Sequence, residues 1–467
     1  MIFNSLDFFI FLPICLILYY LFRKNLKVQN FLLVVASYFF YGYWDYRFLS
    51  LIAFSTIVDY IAGQQIQNSE SKKRKKAFLI LSLLTNLGLL GVFKYYNFFV
   101  ESFIELFAQI GYQLPSSTLE IILPVGISFY TFQTLSYTID IYREKIKPTR
   151  DFIAFAAFVS FFPQLVAGPI ERAAHLLPQF FRKREVQYRD LIVGSQMLVW
   201  GLFKKVAVAD NLAEYVNIVY GNQDDFGGLN NIIATIFFAF QIYCDFSGYS
   251  TIAIGLARMF GFELNQNFNT PYFALSIREF WQRWHISLST WFRDYVYISL
   301  GGNRKGPSQF YKNIMITFLI SGFWHGANWT FIVWGGIHGG YYLIENSIKD
   351  KLKLNENIQR IFGWLLTFVI ACLAWIFFRA DSVYDAYSFL LNSFSLEHNY
   401  VVKPYNLLVM SMMTFILIFF DWAKKQSFFQ KLYRESTFLR WGFYYLIILL
   451  IFLFGNTQSA EFIYFQF

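Results

Sequence analysis

The chain is 467 residues long, 56% hydrophobic and 15% charged, and it carries 59 phenylalanines. Soluble domains hold about 25% charged residues and must cover their surface with wettable groups, so a water-soluble fold of this size is excluded and a bilayer is required. The formal net charge of +9 lies in short loops between apolar runs, which fits membrane topology and lipid headgroups and argues against nucleic-acid binding.

The N-terminus, Met1–Asp7, has no basic stretch and no small-residue cleavage site follows, so the first run, Leu6–Phe22, is expected to stay as a span. Further runs cover Phe31–Trp44, Phe48–Ala62, Ala77–Tyr95, Ile121–Ile139, Phe152–Val166 and Leu191–Ala207. Ile232–Leu256, Ile314–Ile337, Gly363–Phe378, Leu407–Trp422 and Trp441–Gly455 complete the series. A helix needs roughly 20 apolar residues to cross. The runs are continuous rather than alternating, which predicts an all-α, polytopic helical bundle of about 10 to 12 spans, read as one membrane domain over residues 1–467. Arg23, Lys24 and Lys27 and the cluster Lys72–Lys76 fall on one side, expected to be cytoplasmic, which puts the N-terminus outside. Cys15, Cys244 and Cys372 lie in apolar runs without metal or disulfide spacing.

One region, Asn265–Gln309, is too polar to span. Within it Ile277–Tyr297 reads as an amphipathic helix. At 100° per residue, Arg278, Gln282, His285, Ser289 and Arg293 share a stripe roughly 80° wide. The stripe suits lipid headgroups or an anionic substrate.

No G-x-S-x-G elbow, phosphate loop, H-E-x-x-H or paired C-x-x-C occurs. Of five histidines, His175 and His398 sit in polar loops and read as surface residues, and His338 reads as a helix-terminal packing residue. His325 is different. It lies in Ile320–Trp329 between Gly322 and Gly326. An ionisable group in a membrane segment defaults to a functional hypothesis, and a neutral imidazole is a suitable general base near pH 7. Asn328 falls on the same face if the helix persists, where it would orient the ring or bind a carbonyl. His325 and His338 are 13 residues apart, about 20 Å along one straight helix, so they share a site only if the helix breaks. Gly335-Gly336 would permit that. Asp245, in Tyr243–Ser250, is a second intramembrane ionisable group.

Six strings carry a resemblance to the membrane-bound O-acyltransferase (MBOAT) family. They are Leu123–Tyr130, Phe162–Arg172, Asp245–Ser250, Glu279–Trp291, Leu300–Arg304 and Trp324–Asn328, joined by the terminal Tyr464-Phe465-Gln466-Phe467. Within the family the chain is similar to bacterial members that O-acetylate alginate or peptidoglycan, and more distantly to those that D-alanylate teichoic acid. The resemblance implies a helical fold around a central funnel, with the essential histidine at His325 and the second position at His285. It implies a cytoplasmic thioester donor, an envelope polysaccharide as the ultimate acceptor, a periplasmic or extracellular acyltransferase partner, and the bacterial inner membrane. Thr251 and Gln282 depart from the pattern, where relatives often carry Asp and Arg.

On this basis His325 is expected to be the base, with His285 as second catalytic residue. Asn328, Arg278, Gln282, Ser289, Arg293 and Asp245 are expected to bind substrate, with acetyl-CoA or an acyl-carrier thioester as donor and no bound cofactor or metal. Tyr464 is a candidate acyl relay. A transporter or flippase of an envelope precursor is the competing reading, with Asp245 and His325 as coupling residues. A scaffold that only recruits an extracellular acetyltransferase is a third.

Overall fold

The computed structural model describes residues 1–115, 118–304, 306–348, 355–396, 399–427, 431, 436–456 and 462–463. Lys305, His398 and Tyr464 lie outside the described residues. Their regular structure is helical, with no strand among them. The main helices are α1 (Leu6–Leu21), α2 (Leu26–Asp45), α3 (Leu49–Asn68), α4 (Lys72–Leu90), α5 (Tyr96–Gln109), α6 (Ile127–Tyr142) and α7 (Phe152–Ser160). They continue as α8 (Tyr188–Leu202), α9 (Asp210–Gly221), α10 (Leu229–Met259), α11 (Ile277–Arg283) and α12 (Ile286–Phe292). The last are α13 (Pro307–His325), α14 (Trp329–Ile348), α15 (Glu356–Arg379), α16 (Val383–Asn392), α17 (Pro404–Ala423) and α18 (Thr437–Phe454).

Seven helical stretches among the described residues are long and apolar enough to cross a membrane. That is fewer than the 10 to 12 spans expected. Part of the difference is continuity, because the stretch Leu26–Asn68 joins α2 and α3, each of 20 residues, through a 3-10 turn. The runs over α1 and Phe152–Leu165 are shorter than a span needs. Helix ends follow local chemistry. Ser5, Asn25, Asp151, Ser276, Ser382 and Ser436 each accept a backbone N–H of the first turn with their side chains.

The described chain forms two compact units, Met1–Leu198 with Ile252–Asn265, and Val199–Thr251 with Gln266–Phe467. In the first unit, polar groups that lipid cannot satisfy are matched between helices. Asp59 of α3, fully buried, accepts from Ser82 at 2.6 Å and Asn86 at 2.9 Å, both on α4. Arg184 is buried against the rings of Tyr19, Phe180 and Phe262 and donates to Asn30 at 2.8 Å. Glu171, also buried, accepts from Asn265 Nδ2 at 2.8 Å and meets His175 Nδ1 at 2.7 Å. His175, expected as a surface residue, is exposed and is also anchored to an interior carboxylate.

In the second unit the sharpest packing is the α13–α14 hairpin. A Cβ on Gly322 would come within 2.1 Å of the Phe331 carbonyl oxygen, and one on Gly335 within 2.4 Å of the Phe318 carbonyl oxygen. The two backbones touch where both residues lack a side chain, as in small-residue membrane interfaces. Gly335 thus serves packing inside α14, Gly336 continues the helix beside it, and the chain breaks elsewhere.

Candidate active site

The break falls immediately after His325. Helix α13 ends at His325, and α14 begins at Trp329. Gly326 turns the chain there, and a Cβ on it would lie 2.0 Å from the Phe331 ring. No other residue fits this approach without moving that ring. The hairpin folds His338, in the middle of α14, back towards His325. The ring of Trp334 lies 4.9 Å from each imidazole. One straight helix would have kept these histidines about 20 Å apart. His338 is therefore no helix-terminal residue but part of the same buried cluster.

His285 reaches the cluster by a different device. The expected helix Ile277–Tyr297 is broken in two at Trp284 and His285, and its last part, Arg293–Tyr297, is π-helical. His285 adopts a left-handed conformation, φ 41° and ψ 55°, rare for a non-glycine residue. The neighbouring segment holds it there. Asn269 N–H donates to the Arg283 carbonyl and Ile286 N–H to the Asn267 carbonyl, both at 2.9 Å. The kink turns the imidazole inward, fully buried, while Arg278, Gln282 and Arg293 stay exposed. The polar stripe does not form, because it required an unbroken helix. Arg278 donates to Asn346 at 3.0 Å, Arg293 pairs with Asp294 at 2.7 Å, and Ser289 donates to the Trp284 carbonyl at 3.2 Å.

His285 and His325 come together, with ring centres 6.5 Å apart. Trp324 contacts both, at 6.1 and 5.0 Å. Phe246 of α10 meets the His285 ring edge-on at 4.6 Å, and Phe378 of α15 meets His325 at 5.5 Å. Both histidines are buried, His325 at 2% exposure. Asn267 fixes the protonation of His285. Its Oδ1 accepts the Ser287 N–H at 3.2 Å and the Ser287 hydroxyl at 2.9 Å, and it lies 3.1 Å from His285 Nδ1. Since that amide atom accepts a backbone N–H it is the oxygen, so Nδ1 of His285 carries the proton and Nε2 the lone pair. Burial pushes this imidazole down to about 3, so it is neutral at pH 7.

Two expected site residues make structural contacts. Asn328 is not on a helical face with His325. Its Oδ1 accepts from Thr330 N–H at 3.0 Å at the start of α14, and its Nδ2 donates to the Asp381 carbonyl at 2.7 Å. Asp245, expected to bind substrate, is held in a buried network. It pairs with Lys205 at 2.7 Å, Lys205 pairs with Asp210 at 2.8 Å, and Asp245 Oδ2 accepts from Ile463 N–H at 2.7 Å. Lys205 is placed by a π-helical stretch, Phe203–Ala209, which no helical periodicity signals. The string Asp245–Ser250 is a set of separate attachments. Phe246 packs on His285, Ser247 accepts from Lys204, and Gly248 lets α10 approach the Gly201 carbonyl. Tyr249 lies 4.7 Å from Phe462 near the chain's end.

Asn267, Trp334, Phe246 and the Lys205–Asp210 pair are site or support residues that sequence reading missed. Trp334 lies in the apolar run Ile314–Ile337, where its spacing reads as core.

A buried pair of histidines in a tryptophan-lined interior, delivered by a helix break and a helix hairpin of a multi-pass membrane protein, has general-base capacity in a place shielded from water. Residues 142–387 match the membrane-bound O-acyltransferase family, and the chain belongs to that family. The protein is an acyltransferase. It is 42% identical over 389 residues, 83% of this chain and 74% of the relative, to a probable alginate O-acetylase of Pseudomonas aeruginosa. It is 37% identical over 434 residues, 85% of this chain and 81% of the relative, to a peptidoglycan O-acetyltransferase of Helicobacter pylori. A teichoic acid D-alanyltransferase of Streptococcus thermophilus is more distant, 26% identical over 255 residues, 50% of this chain and 60% of the relative.

Proposed function

We propose that the protein moves an acetyl group from a cytoplasmic thioester, acetyl-CoA or an acyl carrier, towards hydroxyls of an envelope polysaccharide of the alginate or peptidoglycan kind. The bacterial inner membrane is its place, and a periplasmic or extracellular acyltransferase completes the transfer. The observation that carries this reading is the meeting of His285 and His325 in one buried site. The similarity to two O-acetyltransferases over most of the chain supports the chemistry and the acceptor class.

In this reading His325 is the base. It takes the proton of the accepting hydroxyl as that oxygen attacks the thioester carbonyl, and returns it to the departing thiolate. His285, neutral and fixed by Asn267, offers an Nε2 lone pair to a hydroxyl or water. The exposed Arg278, Gln282 and Arg293, together with Ser289, are proposed as separate polar contacts for an anionic donor. Tyr464 is proposed as the phenol that accepts the acetyl group and passes it outward. It follows directly on Ile463, which is tied to Asp245 one residue from the Phe246 that packs on His285.

Comparing alkali-released acetate in envelope polymers of cells with and without the gene tests the acceptor. Loss of ester acetate from one polymer supports the proposal, and unchanged acetate in every polymer contradicts it. Trapping with labelled donor and reading the C-terminal peptide by mass spectrometry tests Tyr464, where absence of acetyl-tyrosine in a turning-over enzyme removes the relay.

A further inference from the structure

Acyl transfer passes through a tetrahedral oxyanion, which needs a hydrogen-bond donor besides the base. Asn328, the side chain that sequence offers for this task, is occupied as a helix cap and a donor to the Asp381 carbonyl. The buried interior around the histidines holds other donors. The indole N–H groups of Trp281, Trp284 and Trp334 have no acceptor among the described residues. Of these three, Trp334 is the one in ring contact with His325, at 4.9 Å and nearly perpendicular.

We infer that Trp334 is a catalytic residue whose indole N–H donates to the oxyanion formed beside His325. The inference rests on the acyl-transfer reading above. Trp334 is 0% exposed, with Trp281, Trp375 and Phe378 within 6 Å of its ring. A buried donor-only group with no protein acceptor is costly to leave unmatched, and an acceptor that arrives with the substrate would match it. His338 does not take that role. Its ring lies 4.9 Å from Trp334, yet both its nitrogens also lack a hydrogen-bond partner among the described residues. Rigid packing between two imidazoles preorganises the N–H, and the dry, aromatic surroundings strengthen it as charge develops.

The acceptor oxygen bonds to the thioester carbon and its proton passes to the unprotonated nitrogen of His325. The carbonyl π pair moves to oxygen, which accepts from the Trp334 N–H. Collapse restores the carbonyl, breaks the carbon–sulfur bond, and the thiolate recovers the proton from His325.

Site-specific replacement of Trp334 by 3-benzothienylalanine keeps the ring shape and removes the N–H. With acetyl-CoA as donor, kcat is expected to fall on the order of 10²–10³-fold, with donor KM within about threefold, since the bond forms only in the transition state. Activity within about threefold of wild type overturns the assignment and makes Trp334 a packing residue. If that protein does not fold, fluorinated tryptophans of graded N–H acidity at position 334 replace it. A rise of kcat with acidity supports the bond, and a flat response overturns it. Wild-type protein inert towards every thioester overturns the acyl-transfer reading together with this one, whereas an active wild type beside an unimpaired benzothienyl variant overturns only the role of Trp334.

Discussion

His285 Nδ1 lies 3.1 Å from Asn267 Oδ1, an oxygen that also accepts the backbone N–H and the hydroxyl of Ser287. This one atom holds both the strained backbone at His285 and the tautomer that leaves Nε2 basic.

Replacing Asn267 with Ala therefore acts through His285. Activity is expected to drop about 100-fold, as misplacement of a reacting group by about 1 Å does, while the protein stays folded. Steady-state kinetics in detergent read this. A variant within threefold of wild type would show that His285 needs no such support.

Gly326 is a geometric requirement. In Gly326→Ala the new Cβ, 2.0 Å from the Phe331 ring, pushes the α13–α14 corner and displaces His325. Activity should fall at least tenfold. Adding Phe331→Leu should restore part of it by making room. A double variant no better than the single one argues that the corner is not what positions His325.

How much of this was legible in advance differs by feature. Membrane insertion and helicity followed from Phe-rich runs that no soluble surface tolerates. His325 stood out because an ionisable residue in an apolar segment is costly. The kink at His285 did not, since Ile277–Tyr297 keeps helical periodicity on both sides of it. What breaks it is Asn267 and Asn269 pairing across 14 to 20 residues, a tertiary contact that local pattern does not contain. Gly335-Gly336 was the expected break, whereas the chain turns at Gly326. Only the Phe318 and Phe331 contacts distinguish a packing glycine from a turning one. Asp245 was visible as a buried acid, but its partner Lys205 faces it through a π-helical turn.

Cutting the Lys205–Asp245 contact, both side chains below 5% exposure, leaves Lys205 paired with Asp210 alone and takes the acceptor from the Ile463 N–H. Asp245→Ala should cost about 1–3 kcal/mol of stability and loosen the Ile463 attachment. A thermal-shift assay in detergent checks it. Unchanged melting would mean that the triad is not a structural anchor.

The Glu171 hydrogen bond raises the His175 pKa. Because the folded pKa exceeds the unfolded one, near 6.5, the stabilisation is full below pH 6.5 and disappears as pH climbs through the raised folded value. The imidazole is 40% exposed, so the effect stays below about 1 kcal/mol. Wild type minus His175→Gln melting temperature should shrink between pH 5.5 and pH 8.5. A pH-independent difference contradicts the ion pair.

The most direct test of the account is thioester turnover by detergent-purified protein, wild type beside His325→Ala and His285→Ala. Wild type is expected to consume acetyl-CoA or an acyl-carrier thioester, with the His325 variant folded but at least about 10²-fold slower, since a positioned base contributes about 10²–10⁴-fold. A folded His325→Ala protein that turns over at the wild-type rate would contradict the claim that His325 is the base at the centre of this site.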